Sequence, residues 1–337
     1  MRFAFTDDQK MLRDTVREVL QRECTPDVVR QVWEGQGEGA ASVWGTLAET
    51  GVIGMMATEA SGGMSMTEVD SVLLFEETGY AALPGPLVDT LAVGVPLLEA
   101  AATESQRDRY LEAAVAGELR VVAVAEGEDT VAYAITPDVL VAQRASQTYC
   151  VPWDEIAATA ETSVDRARHL AKVSFEASDP HRMRNDVDHE ALWALAKRRA
   201  TVATSAQLVG LSRRMLDMSV AYVKDREQFG KPIGAQQAVK HRLADALIQQ
   251  EFARPMAYRA AWSLATEAPS VEVDVSMAKA YASDAAKFVA RQALQVHGAI
   301  GYTIEYDLHM WMKRVWALAA SHGDAAHHRA LIAEHIL

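Results

Sequence analysis

Beyond residue 188 the apolar residues of this chain recur at steps of three and four, and this constrains the fold more than anything else in the sequence. Leu208, Leu211, Met215, Met218 and Tyr222 form one run, and Val239, Leu243 and Leu247 a second. Met277, Tyr281, Ala285 and Phe288 form a third, and Met310, Trp311, Val315 and Leu318 a fourth. Residues three and four apart share a helix face, so each run predicts a helix with one side to bury. The breaks, at Gly230 to Gly234 and around Pro269, are short. Short connections make neighbouring helices antiparallel, and the expectation is a C-terminal four-helix bundle over 188–337.

The rest of the chain divides in two. Residues 1–117 read as a helical N-terminal domain. From Phe3 onward the apolar spacing is helical, with Leu12, Val16, Val19 and Leu20 following Thr6, an N-cap candidate with Gln9 three residues on. Val43, Leu47 and Val52 continue it, and Ser61 to Met64 and Leu83 to Pro86 interrupt it. Gly117 closes the helix of Tyr110 to Ala116. Residues 118–187 change character. Val121 to Ala125, Val131 to Ile135, Val139 to Ala142, Tyr149 to Val151 and Leu170 to Phe175 are short apolar runs separated by turn residues such as Thr136, Pro137 and Asp138. They predict a small, reduced β-domain. The fold class is thus mostly α with a small middle β-domain.

Of the 337 residues, 50% are hydrophobic and 23% charged, which excludes a disordered chain. No apolar stretch is long enough to span a membrane. Asp7, Asp8 and Lys10 stand where a secretory signal needs an apolar run. The net charge of −13 repels nucleic acid and anionic lipid, so neither is expected as a partner. Two cysteines, Cys24 and Cys150, cannot make a disulfide framework, and a cytoplasmic location follows as the expectation.

Two motifs bear on function. Arg226-Glu227-Gln228-Phe229-Gly230-Lys231-Pro232-Ile233-Gly234, with Gln237 after it, follows the first bundle helix. Arg226 can pair bidentately with a phosphate, and turn backbone can add hydrogen bonds, but an ordinary helix–helix loop carries the same residues. Gln295-Val296-His297-Gly298-Ala299-Ile300-Gly301-Tyr302 follows the third. Its glycines permit close backbone approach to a ligand, or simply a helix C-cap.

Taken together and in this order, the motifs resemble those of the acyl-CoA dehydrogenase family. Glu59-Ala60-Ser61-Gly62-Gly63 and Phe75-Glu76-Glu77-Thr78-Gly79 resemble that family's N-terminal motifs. The resemblance implies an oxidoreductase in which a base removes the α-proton of an acyl-CoA thioester and FAD takes the β-hydrogen as hydride. It implies that Arg226, Gln228 and Phe229 contact the FAD of a neighbouring subunit and that Gln295, Gly298 and Gly301 line its diphosphate. Ile233, Gln237 and His297 belong to the same implied cofactor-binding set. Ala299 replaces the family's usual second glycine.

The departures from the pattern are as informative. The family's catalytic glutamate falls, by counting, at His322 in one location and at Ala200 in the other, with Thr201 where many members carry an arginine. Of the flavin-holding loop only Val124 to Asp129 remains, and no second flavin-holding strand is found. The chain keeps what it lends to a neighbour's FAD and lacks what it needs for its own. In this it resembles the shortened subunits of hetero-oligomeric acyl-CoA dehydrogenases of steroid side-chain degradation. The implied partner is a full-length homologue in an α2β2 tetramer. The alternatives are a homo-oligomeric flavoenzyme with His322 as an unusual base, and a non-enzymatic scaffold. No metal site is expected, although His322, Asp324, His327 and His328 cluster in sequence; Glu76 and Glu77 are read as surface or interface carboxylates. The helix of Met310, Trp311, Met312 and Trp316 is apolar over so wide an arc that an inter-subunit contact is expected there.

Overall fold

The computed structural model describes residues 4–134 and 137–337. Phe3, Ile135 and Thr136, which the sequence reading includes in a helical zone, a strand and a turn, lie outside the described residues. Helices occupy both ends of the chain and short strands its middle, the mostly α class that the apolar spacing predicts. The first helices are α1 (Asp7–Glu23), α2 (Pro26–Trp33), α3 (Glu38–Glu49), α4 (Glu68–Tyr80), α5 (Val95–Ala101), α6 (Glu104–Gln106) and α7 (Glu112–Val115). The capping box at α1 forms as expected: Gln9 N–H donates to Thr6 Oγ1 at 3.2 Å, and Thr6 N–H to Gln9 Oε1 at 2.9 Å.

The residues gather into two compact units. One comprises Asp14–Ser71 and Pro84–Ala200. Its strands are β1 (Val121–Val124), β2 (Thr130–Val131), β3 (Val139–Arg144), β4 (Gln147–Pro152), β5 (Ala157–Ala160) and β6 (Ala171–Ser174). They form two three-stranded sheets, β1-β3-β4 and β2-β6-β5, with β1 parallel to β3 and the other pairs antiparallel. Both faces of β1 and β3 are covered. Val122, Val124, Leu140 and Ala142 join Val131 and Val173 in one core, while Val121, Val139 and Val141 join Leu97, Leu98 and Trp193 in another. Burial on two sides is why these strands read as unbroken apolar runs rather than as an alternation. β5 escaped the sequence reading: Ala157, Ala158, Thr159 and Ala160 are all exposed and alanine-rich, so neither alternation nor β-propensity marks them.

The other unit comprises Val72–Leu83 and Thr201–Leu337, with the stretch ending at Arg13. The helices after residue 188 are α8 (His189–Asp225), α9 (Gln237–Ala265), α10 (Val271–His297), α11 (Leu308–Ala320) and α12 (Ala325–Ile336). α9, α11 and α12 all pack on α10. Within this unit α4 and α8 approach closely through paired glycines. A Cβ on Gly210 would lie 1.9 Å from Glu76 O, and one on Gly79 would lie 2.1 Å from Gln207 O.

Two expectations are corrected here. Glu76 and Glu77 are not surface carboxylates; both are buried. Arg213 donates to Glu76 Oε1 at 2.9 Å and to Glu77 Oε2 at 2.8 Å, and Tyr258 O–H donates to Glu76 Oε2 at 2.5 Å. A buried carboxylate needs such partners, and these come from helices far along the chain. The wide apolar arc of α11 is covered within the chain itself. Met310, Trp311 and Met312 are buried, Trp311 Nε1–H donates to Tyr80 O at 2.9 Å, and Trp316 is exposed. The exposed apolar row lies instead on α9, where Leu247, Ile248 and Phe252 are 50%, 49% and 59% exposed.

Candidate functional site

The Arg226 motif folds into a two-residue hairpin. β7 (Glu227–Gln228) pairs antiparallel with β8 (Lys231–Pro232), in register Glu227 to Pro232 and Gln228 to Lys231. Between them Phe229 and Gly230 both take positive φ, 54° and 77°, as a type I′ turn requires. Glycine tolerates that conformation; a phenylalanine in it is strained, and such strain concentrates at functional sites. The Phe229 ring is 92% exposed. Arg226 stands exposed at the end of α8, its backbone N–H bonded to Tyr222 O and its carbonyl accepting from Ile233 N–H, both at 2.8 Å. Its guanidinium has no ion-pair or hydrogen-bond partner among the described residues. Gln228 and Gln237 are also exposed, and Ile233 is half-buried.

The second motif ends α10. Gly298 takes φ 67° and ψ −143°, a region open essentially to glycine alone, and a Cβ there would meet nothing within 4 Å. The turn is therefore both glycine-dependent and open on its outer side. Gln295 and Ala299 are exposed beside it, whereas Gly301 faces inward, where a Cβ would lie 3.0 Å from His297 Cβ.

His297 is placed differently from the cofactor contact expected on the sequence. It is buried, and both ring nitrogens are engaged: Nδ1 with Ala293 O at 2.7 Å, Nε2 with Tyr306 Oη at 3.1 Å. A carbonyl only accepts, so Nδ1 carries the hydrogen and, in the neutral ring, Nε2 accepts from the Tyr306 hydroxyl. Burial lowers the His297 pKa, with the Ala293 bond opposing. The ring stacks on Tyr222 with centroids 4.5 Å apart. Tyr222 lies one turn before Arg226, so this stack brings the two motifs together at one end of the bundle. Arg242 on α9 adds a bond to Gln292 on α10 at 3.0 Å.

The two positions to which counting along the sequence assigns a glutamate hold Ala200 and His322. Ala200 is buried. His322 is exposed, with φ 54°, in the short connection between α11 and α12. That connection is pinned from inside. His328 Nε2–H donates to His322 O at 2.9 Å, and Lys279 Nζ donates to Gly323 O at 2.7 Å and Ala319 O at 3.2 Å. Burial, with Lys287 nearby, lowers the Lys279 pKa to about 8. Asp324 caps α12 by accepting from His327 N–H at 2.8 Å. α12 itself was missed on the sequence, because its apolar spacing is weak; the Asp324 cap was the available signal. Among the described residues no group of three side chains is placed to hold a metal ion. Lys240 and His241 are exposed. Cys150 is free and buried, and burial pushes its thiol up to about 12 with Arg109 opposing, so it is not a nucleophile.

Arg226, the Phe229 turn and the open Gly298 turn suit one phosphate-bearing, planar-ringed ligand: a charge for the anion, open backbone for close approach and an aromatic face. The turn after β1 is engaged internally. Glu126 accepts from Ala145 and Ser146 N–H at 2.8 and 3.1 Å, and Arg144 donates to Glu128 O at 3.0 Å.

Helices, then a small two-sheet segment, then a helical bundle with these two turns at its end define the acyl-CoA dehydrogenase class of fold. The acyl-CoA dehydrogenase N-terminal domain matches residues 6–118 and the C-terminal domain residues 189–337. The acyl-CoA dehydrogenase IpdE2 of Mycolicibacterium smegmatis is 30% identical over 321 residues, covering 95% of this chain and 94% of that protein. Among solved structures, the ChsE4–ChsE5 complex from Mycobacterium tuberculosis superposes with a TM-score of 0.87 at 21% identity, over 100% of this chain and 99% of that one. The Tcur3481–Tcur3483 steroid ACAD G363A variant does so with a TM-score of 0.83 at 21% identity, over 97% of both chains. The protein belongs to the acyl-CoA dehydrogenase family. Among the described residues no helix is long and apolar enough to cross a membrane.

Proposed function

We propose that this chain is a subunit of an FAD-dependent acyl-CoA dehydrogenase and that it completes the cofactor site of a full-length homologue in an α2β2 tetramer. In this reading the chain divides into a helical segment 1–117, a reduced β segment 118–187 and a bundle 188–337. The single observation that carries the reading is the exposed hairpin of Arg226 and Phe229, a charge without a partner among the described residues and a ring on a strained turn. Arg226 pairs with the cofactor diphosphate, the Gly298 turn offers it close backbone approach, and Gln228, Phe229, Gln237 and Gln295 border it. FAD supplies the hydride acceptor for desaturation of the acyl-CoA. With alanine at 200 and histidine at 322, the partner supplies the carboxylate base. A steroid side-chain thioester is the proposed substrate class, in keeping with a structural neighbour that is itself a steroid ACAD. The proposed setting is cytoplasmic.

The test is flavin absorbance of the chain expressed alone and with a full-length homologue. Little flavin is expected alone and near-stoichiometric flavin in the complex. Stoichiometric flavin in the chain alone would sink the donor reading and favour a homo-oligomer with His322 as the base. Within the complex, Arg226→Ala removes a charge-assisted phosphate bond worth about 1.5–3 kcal/mol, raising the flavin Kd about tenfold to a hundredfold. Flavin retained after dialysis measures it, and equal retention would make Arg226 an ordinary surface residue.

A further inference from the structure

We infer that Tyr222, His297 and Tyr306 form a positioning stack that makes the Arg226 hairpin and the Gly298 turn one dinucleotide-binding unit instead of two independent contacts. The inference rests on the reading that these two turns face an FAD diphosphate and adenosine. Tyr222 and His297 stack at 4.5 Å with an interplanar angle of 26°. Tyr306 closes the group, its ring centroid 5.0 Å from His297 and 6.2 Å from Tyr222. Each member is tied to a ligand-facing turn. Tyr222 O accepts from Arg226 N–H, His297 immediately precedes Gly298, and Tyr306 follows the turn that begins at Gly298.

The hydrogen bonds give the stack a direction. Nδ1–H of His297 is held by Ala293 O in its own helix, which fixes the ring plane, and Nε2 is left to take the Tyr306 hydroxyl. Burial, with Asp307 and Tyr222 adding, holds the Tyr306 phenol above its ordinary pKa, so the hydroxyl keeps its proton. A ring fixed at both nitrogens and stacked on one face cannot rotate without breaking all three contacts. Because Tyr222 and His297 sit at the ends of different helices, a shift of α10 against α8 moves Gly298 relative to Arg226. A diphosphate bridging the two turns detects a displacement of under an ångström, since hydrogen bonds weaken steeply with distance and angle.

The experiment is a double-mutant cycle on the flavin-stripped complex of the chain with a full-length homologue, with ADP as the probe, read by titration calorimetry. Tyr306→Phe keeps the ring and removes only the hydroxyl; His297→Leu removes both bonds and the stack. Each is combined with Arg226→Ala. The expected result is a loss of ADP affinity of roughly threefold to tenfold for Tyr306→Phe and more for His297→Leu, with unchanged helical content. On either background Arg226→Ala should cost clearly less than on the wild-type chain, because a misplaced turn gains little from the arginine; coupled sites are non-additive in this way. Losses that multiply independently, or a Tyr306→Phe chain with wild-type affinity, overturn the positioning role while leaving Arg226 as a phosphate contact. No ADP binding, or binding indifferent to Arg226→Ala, overturns the donor-site reading beneath it, and the inference with it. Should His297→Leu fail to fold, Tyr306→Phe decides alone.

Discussion

Gly210→Ala is expected to prevent recovery of a stable fold. A Cβ at this position would sit 1.9 Å from Glu76 O and 2.6 Å from Tyr80 N, both backbone atoms of α4. A flexible side chain would swing aside from such a contact; a helix backbone cannot. Overpacking within a core costs about 1–3 kcal/mol where side chains can adjust. Here α4 and α8 must separate, which also disturbs the approach at Gly79, where a Cβ would lie 2.1 Å from Gln207 O. A loss beyond about 3 kcal/mol is therefore expected. Urea denaturation checks it where soluble protein is obtained, and a variant with wild-type midpoint and slope would mean that the helices do not cross at this distance.

Arg213→Ala is the second change with a large expected effect. One guanidinium holds both Glu76 and Glu77, which are 3% and 2% exposed. Its removal leaves Glu76 with Tyr258 and with Arg254 at 3.4 Å, and takes from Glu77 the Arg213 bond at 2.8 Å. Breaking a buried ion pair from one side costs about 3–5 kcal/mol, because the remaining charge stays desolvated. The loss in urea midpoint should be partly recovered by Glu77→Gln on the same background, since a neutral amide costs less to bury than a carboxylate. A loss that Glu77→Gln leaves untouched would show that packing of the arginine stem, not its charge, is what matters.

The bundle was legible because helical spacing coincides with burial: Leu208, Leu211 and Met215 are all buried. Spacing alone does not say which way a face points. Leu247 fits the second run yet is half-exposed, and Trp311, which reads equally as interface or core, is buried in its own chain. Glu76 and Glu77 were misjudged because their partner Arg213 is 137 and 136 residues away, beyond any local pattern. The candidate site stands out in the sequence only at its exposed end. Arg226, Phe229 and Gly298 announce themselves by residue type and turn chemistry. The stack behind them did not, because the partnership of Tyr222, His297 and Tyr306 depends on where two helices end in space.

Leu247, Ile248 and Phe252 on α9 have a consequence for how flavin content depends on dilution. Residues 248 and 252 lie one helical turn apart and share a face, so in the isolated chain an apolar row meets water. Contacts inside one chain, such as the α4–α8 crossing, are indifferent to concentration; contacts between chains obey mass action. In the proposed complex the cofactor is gripped from two chains at once. Thinning the solution below the assembly constant then releases the flavin as the chains part, and absorbance recorded at nanomolar and at micromolar protein should report different occupancies of the same preparation.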